Sequence, residues 1–262
     1  MNIVHSMLAA DYHAHPALSK SVLDKVARSP LHARAYLDGE REEPTKAMEF
    51  GTAFHAAVLE PERFADAYAV FTGDRRTKEG KAAYQALLDR GAQVVDQDDY
   101  DRICEMSAAV RAHPTAGALL QPGSGVAEAS VFWQATEQVE CKCRPDFWRV
   151  EERVVVDIKT TDDASPAAFA GSVINYRYHV QAAHYLKGTG ARQFIFVVVE
   201  KKAPYAIAVY ELDAAALELG AQLRERDIER FATCTEFGIW PGYDADITTL
   251  SLPAWAGKEI DL

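Results

Sequence analysis

"CRPDFWRVEERVVVDIKT", residues 143–160, sets an aspartate on each of two apolar runs and a lysine two places after the second. Asp157 falls between Val156 and Ile158, where a core strand ordinarily takes another aliphatic. Burying a charge is costly unless it is paired or holds a metal. Asp146, Asp157 and Lys159 therefore either occupy a harmless strand end or do chemistry. A hairpin centred near Glu151 and Glu152 brings Asp146 and Asp157 almost opposite each other. Two carboxylates that close repel, and each raises the other's pKa unless a cation lies between them. Side chains alternate along a strand, so Asp157 and Lys159 share a face, and the Ile158 carbonyl can point at the same ion. Hard oxygen ligands suit magnesium, with manganese as a second choice. Such an ion polarises a phosphoryl oxygen and acidifies bound water, and a neighbouring lysine stabilises a negative transition state. This chemistry suits phosphodiester hydrolysis. The same spacing also fits a surface hairpin with an exposed Asp–Lys pair of little energetic worth.

Around this stretch the chain changes texture. Residues 1 to about 120 read as helical. Ser19 can cap a helix with Val22, Leu23, Val26 and Ala27 on one face, and Pro30 punctuates before a second stretch to about Leu37. "TKAMEFGTAFHAAVLEPERF" ends before Pro61, "TKEGKAAYQALLDRG" runs from Thr77 to a stop at Gly91, and "DQDDYDRICEMSAAVRAHP" ends before Pro114. After the turn "QPGSG", residues 121–125, "AEASVFWQA", "VECKCRPDFWRV" and "RVVVDIKT" read as three consecutive strands of an antiparallel meander. One or two helices, the strands "QFIFVVVE" and "YAIAVYEL", a long helix capped by Asp213 and an irregular tail complete the order. The fold class is α/β, with a central mixed sheet, flanking helices and a helical N-terminal portion.

The length, 262 residues, suits one elaborated domain or two small ones. Neither a signal-peptide pattern at the start nor an apolar run long enough to cross a membrane is present, so a soluble cytoplasmic protein without a membrane partner is expected. Cys141 and Cys143 form C-x-C rather than the spacing of common zinc sites, and read as buried thiols. The net charge of -11 taken alone argues against nucleic acid. Local patches qualify it, since residues 75–81, "RRTKEGK", hold four basic residues against one acid.

With R-P-D146 followed by D157-I-K159, and helix–three strands–helix–two strands around them, the sequence resembles the PD-(D/E)xK (restriction-endonuclease-like) nuclease superfamily. Within it, "LSKSVLDKVARSPLHARAYL", "MEFGTAFHAAVLEPERF", "DRRTKEGKAAY" and "DIKTTDDASPAAFAGSVINYRYHVQAAHY" look like RecE-type double-strand exonucleases of phages, with RecB-type nuclease domains as the wider group. The resemblance covers about residues 12–240. It implies one nuclease domain over 1–262: a helical portion 1–120 carrying His55, a catalytic core 121–240 and a tail 241–262. It implies that His55 of G-T-A-F-H and Glu128 join Asp146, Asp157 and the Ile158 carbonyl around the metal, with Lys159 catalytic. Gln181 and Tyr185, as Q-x-x-x-Y, would stand beside the active site on one helix face. Arg75, Arg76 and Lys78 would contact DNA phosphates near the entrance. The implied activity degrades the 5′ strand from duplex DNA ends, in a homo-oligomeric ring, a tetramer in this group, and leaves 3′ strands for a single-strand annealing protein. An inactive DNA-binding scaffold, or a related nuclease of other polarity or substrate, stays open.

Overall fold

The structure, a computed structural model, describes residues 1–40 and 43–252. β1 (Asn2–Val4) and α1 (Ala9–Ala14) precede α2 (Lys20–Arg28), whose Val22, Leu23 and Val26 are buried as their spacing requires. Ser19 holds the N-cap position of α2, but its side chain makes no capping bond. Ser29 caps α3 (Pro30–Leu37), so Pro30 opens this helix where its missing N–H costs nothing. Thr45 caps α4 (Lys46–Leu59), and α5 (Pro61–Ala67) follows. Two short strands that no sequence pattern announced, β2 (Tyr68–Val70) and β3 (Gln93–Val95), pair in parallel on either side of α6 (Lys78–Asp89). Thr77 caps α6, and Gly91 at φ +78° ends the turn after it. Asp96 caps α7 (Gln97–Ala112), which stops before α8 (Pro114–Leu119).

The expected three-strand meander is corrected in one respect. Its first two strands each bend and belong to two sheets. The first divides into β4 (Val126–Ala127) and β5 (Ser130–Gln134), the second into β6 (Glu140–Cys143) and β7 (Phe147–Arg149). Pairing keeps one register through the bend, from Ala127 opposite Phe147 to Val131 opposite Cys143. At the bend Pro145 has no N–H to give a ladder, and Glu128 takes a left-handed φ of 53°. The third strand, β8 (Val154–Thr161), is continuous. α9 (Pro166–Asn175) and α10 (Tyr178–Thr189) are separate helices, divided at Arg177 with φ 53°. β9 (Gln193–Glu200), β10 (Ile207–Glu211) and α11 (Ala214–Phe237) follow, with Asp213 capping α11. The tail is irregular as far as residue 252; its expected continuation over 253–262 lies outside the described residues.

The main sheet runs β10-β9-β8-β7-β4, with β8 and β9 parallel and its other pairs antiparallel. β1-β5-β6 form a second sheet. One face of the main sheet, Val154, Val156, Ile158, Val197 and Val199, packs on Phe54, Ala57 and Val58 of α4 and Ile103, Met106 and Val110 of α7. Val155, Phe194, Phe196 and Val198 on the other face meet Phe169 and Val173 of α9, Ala182 of α10 and Ile228 of α11. Cys141 and Cys143 are fully buried free thiols in that second core, as the sequence reading expects. Among the described residues no helix is long and apolar enough to cross a membrane.

Helices α10 and α11 touch through Gly220, where a Cβ would lie 2.2 Å from the His179 carbonyl oxygen. Gly220→Ala should therefore cost about 1–3 kcal/mol, read as a lower denaturant midpoint; an unchanged midpoint would contradict this close approach. His184, also on α10, is fully buried, with Nε2 3.0 Å from the Lys142 carbonyl and its ring against Trp133. Burial lowers its pKa to about 3, against the opposing pull of that carbonyl. The unfolded imidazole, near 6.5, binds a proton that the folded one refuses, so stability falls as pH drops from about 6.5 towards 3. The loss is on the order of 4 kcal/mol, and His184→Asn should flatten the pH dependence of chemical unfolding over that window. Equal slopes in both proteins would remove His184 from the account.

Candidate metal centre and cleft

At the bend of the hairpin, the shared register sets Glu128 opposite Asp146, and the Glu128 N–H donates to the Asp146 carbonyl at 3.2 Å. On the other side, β7 pairs Phe147 with Val156, so one step further Asp146 falls opposite Asp157. Three acids thus stand on three neighbouring strands, with Asp146 in the middle. Its Oδ2 accepts the Ile158 N–H at 2.7 Å. An extended residue sends its N–H and C=O to the same edge, so the Ile158 carbonyl also faces Asp146.

Helix α4 brings His55 from the sheet's other face, with Nδ1 3.5 Å from Asp146 Oδ2. His55, Glu128 and Asp146 each offer a ligand atom, all within 4.8 Å of one another. Arg144 Nε holds Glu128 Oε2 at 2.8 Å. Burial first, then the Asp146 charge, push the Glu128 carboxyl well up, with Arg144 pulling back.

Asp157 is not in that triad. It is almost wholly buried, its Oδ1 accepts from Gln181 Nε2 at 2.5 Å, and its Oδ2 lies 2.5 Å from Lys159 Nζ. Burial raises the Asp157 carboxyl, Lys159 lowers it, and Asp146 raises it further, for a net rise. Burial works against the Lys159 ammonium, but Asp157 and Asp146 outweigh it and raise that pKa. Carboxyls pushed up by burial and by the Asp146 charge are groups a cation would ionise, and a nitrogen with carboxylate oxygens is a donor set that divalent metals accept. The residues present therefore fit a divalent ion.

Gln181 meets Asp157 as an amide partner, and Tyr185 packs edge-on against Phe194 one turn later. A cleft of about 370 Å³ opens here, lined by Glu128, Arg144, Lys159, Gln181 and Tyr185 together with Tyr12, Ser19 and Lys20. Sequence reading missed Tyr12, Lys20, Arg144 and Tyr178. Arg144 stands two places before Asp146, but its role depends on Glu128 lying across the hairpin. Tyr178 carries the Lys159 ammonium 4.7 Å over its ring, and nothing local marks it. Arg75, Arg76 and Lys78 are exposed on the turn into α6 and do not line this cleft. Arg75 lies over the Tyr84 ring in a separate cleft of about 310 Å³, and Arg76 is paired with Asp74.

A family model described as a PDDEXK-like domain of unknown function (DUF3799) matches residues 19–250. The chain belongs to this family. Its α/β core with a mixed five-strand sheet is the fold that the PDDEXK-like description denotes. No curated protein matches the sequence. A crystal structure described as "Putative exonuclease" from Eubacterium rectale superposes with a TM-score of 0.66, covering 96% of this chain and 97% of that one at 12% identity. Such a likeness speaks for the fold alone. An alkaline exonuclease from Laribacter hongkongensis (TM-score 0.31, 15% identity, 71% and 95% covered) and a phage related exonuclease from Haemophilus somnus (0.35, 10%, 86% and 97%) are too distant to carry an argument.

If the triad holds a metal, His55→Ala and Glu128→Gln should each weaken Mn²⁺ binding at least about tenfold in titration calorimetry. Affinity equal to the parent's in both variants would place the ion elsewhere.

Proposed function

We propose that the protein is a metal-dependent exodeoxyribonuclease of the RecE type that degrades the 5′ strand of duplex DNA to 5′-phosphate nucleotides. The observation that carries this reading is the convergence of His55, Glu128 and Asp146 beside the buried Asp157–Lys159 pair. Membership of a PDDEXK-like family supports a phosphodiesterase, and the shared fold of a protein described as a putative exonuclease is consistent with attack at a chain end. His55, Glu128, Asp146, Asp157 and the Ile158 carbonyl would hold magnesium, or manganese. When bound, the ion supplies Lewis acidity and a water of lowered pKa.

The protein's own groups do the rest. Lys159, kept charged by Asp157 and Asp146, presents its ammonium to the cleft and stabilises the charge that grows on the phosphoryl oxygens. Tyr178 fixes that ammonium from behind. The Gln181 amide holds the Asp157 carboxylate in one orientation, and Tyr185 closes the floor of the cleft. Arg75, Arg76 and Lys78 steer the duplex by its phosphates, which conveys position without reading sequence. In this reading residues 1–262 act as one nuclease unit in the cytoplasm, assembled as a tetrameric ring around duplex DNA, and pass 3′ strands to an annealing protein. The complete His–Glu–Asp–Asp–Lys set speaks against an inactive scaffold.

On blunt duplex with magnesium, Asp157→Ala and Lys159→Ala should each lower the rate of nucleotide release by about 100-fold or more. Duplexes labelled at the 5′ or 3′ end should show 5′ release, and a closed circle should resist. Either variant degrading DNA like the parent would end the assignment of that residue, and first release of 3′ label would reverse the polarity.

A further inference from the structure

The cleft at Lys159 continues past Tyr178. A second depression of about 130 Å³ shares Lys159 and Tyr178 with the first, and is otherwise walled by Thr161, Ser172, Tyr176 and Lys201 among others. Its outer wall is Tyr176, which stacks on Tyr178 with centroids 5.5 Å apart and planes 28° apart. Tyr176 is nevertheless 60% exposed. With one face of its ring on Tyr178, much of the remainder is in solvent at the lip of the groove.

Single exposed aromatics are ordinary. This one has its backbone tied at a hydrogen-bonded corner. Its N–H donates to the Ser172 carbonyl at 2.9 Å, and its carbonyl accepts Lys20 Nζ at 2.7 Å. The next residue, Arg177, takes the left-handed conformation and is bound to Asp24 and to the fully buried Asp227. Tyr178 in turn lies near Phe169 and Phe196 of the core. An aromatic plane on a tied backbone therefore stands in solvent, one ring away from the Lys159 ammonium.

We infer that Tyr176 is a stacking platform for an unpaired base of the DNA strand whose phosphodiester lies at Lys159. This inference rests on the nuclease reading above. Lys201, the cation of this depression besides Lys159, is paired with Asp162 at 3.2 Å. The contribution of the π-face, which every base has, is tolerant of sequence and, unlike a phosphate contact, releases no counterion of its own. The subsite would hold a nucleotide that has left the duplex next to the bond being cut.

The test uses Tyr176→Ala, Tyr176→Leu and Tyr176→Trp with duplexes carrying one abasic nucleotide, walked through the first three positions from the end. In the parent, an abasic nucleotide at one of these positions should raise KM about tenfold. Tyr176→Ala and Tyr176→Leu should raise KM on intact duplex by a similar factor, and the abasic nucleotide should then add nothing. Tyr176→Trp should restore the parent's KM, and the salt dependence of KM should be the same in all four proteins. An unchanged KM in the Leu and Ala variants, or an abasic effect that multiplies with theirs at every position, overturns the platform. If the parent releases no nucleotide from any duplex, the nuclease reading itself falls and takes this inference with it.

Discussion

The carboxylate of Asp146 takes the place of a backbone acceptor for the Ile158 N–H, at 2.7 Å. That bond lies where β7 gives out and β8 continues, and the site is built on the mismatch. A continuous ladder would have filled this edge of β8 with a carbonyl. The break leaves it to an acid, beside the Ile158 carbonyl on the same edge, and the same Asp146 Oδ2 lies 3.5 Å from His55 Nδ1. Pro145 and the left-handed Glu128 enforce the break from both strands of the hairpin.

A price is visible in the charges. Burial chiefly, with the Asp146 charge in addition, raises the carboxyls of Glu128 and Asp157 on either side of it. The compensations are local cations: Arg144 on Glu128, and Lys159 on Asp157. Alternation on β8 divides the labour between faces. Val154, Val156 and Ile158 anchor the strand on α4 and α7, while Asp157 and Lys159 meet Gln181 and Tyr178 of α10. The two helices thus bring their polar groups to β8 from opposite faces: His55 from α4, Gln181 and Tyr178 from α10.

Much of this was legible in the sequence. Caps at Thr77 and Asp213, the stop at Gly91 and the runs of β8 and β9 follow from short-range chemistry, which a sequence records directly, whereas Ser19, expected to cap α2, makes no capping bond. The alternation that puts Asp157 and Lys159 on one face is equally local. The hairpin bend was read as straight strands because its register is unbroken, and only its direction in space changes. Strands β2 and β3 were invisible because three residues make too short a pattern to rise above chance.

The sequence by itself determined the order of the longer helices and strands, most of their ends and the spacing that sets two acids across a hairpin with a lysine on the face of one of them. These depend on bonds and steric preferences within a few residues. Only the tertiary structure decided that the hairpin bends between two sheets, that His55 arrives from α4 some ninety residues before Asp146, and that Gln181 rather than solvent meets Asp157. Those placements are set by which apolar faces bury one another, and that choice is made by packing among distant segments.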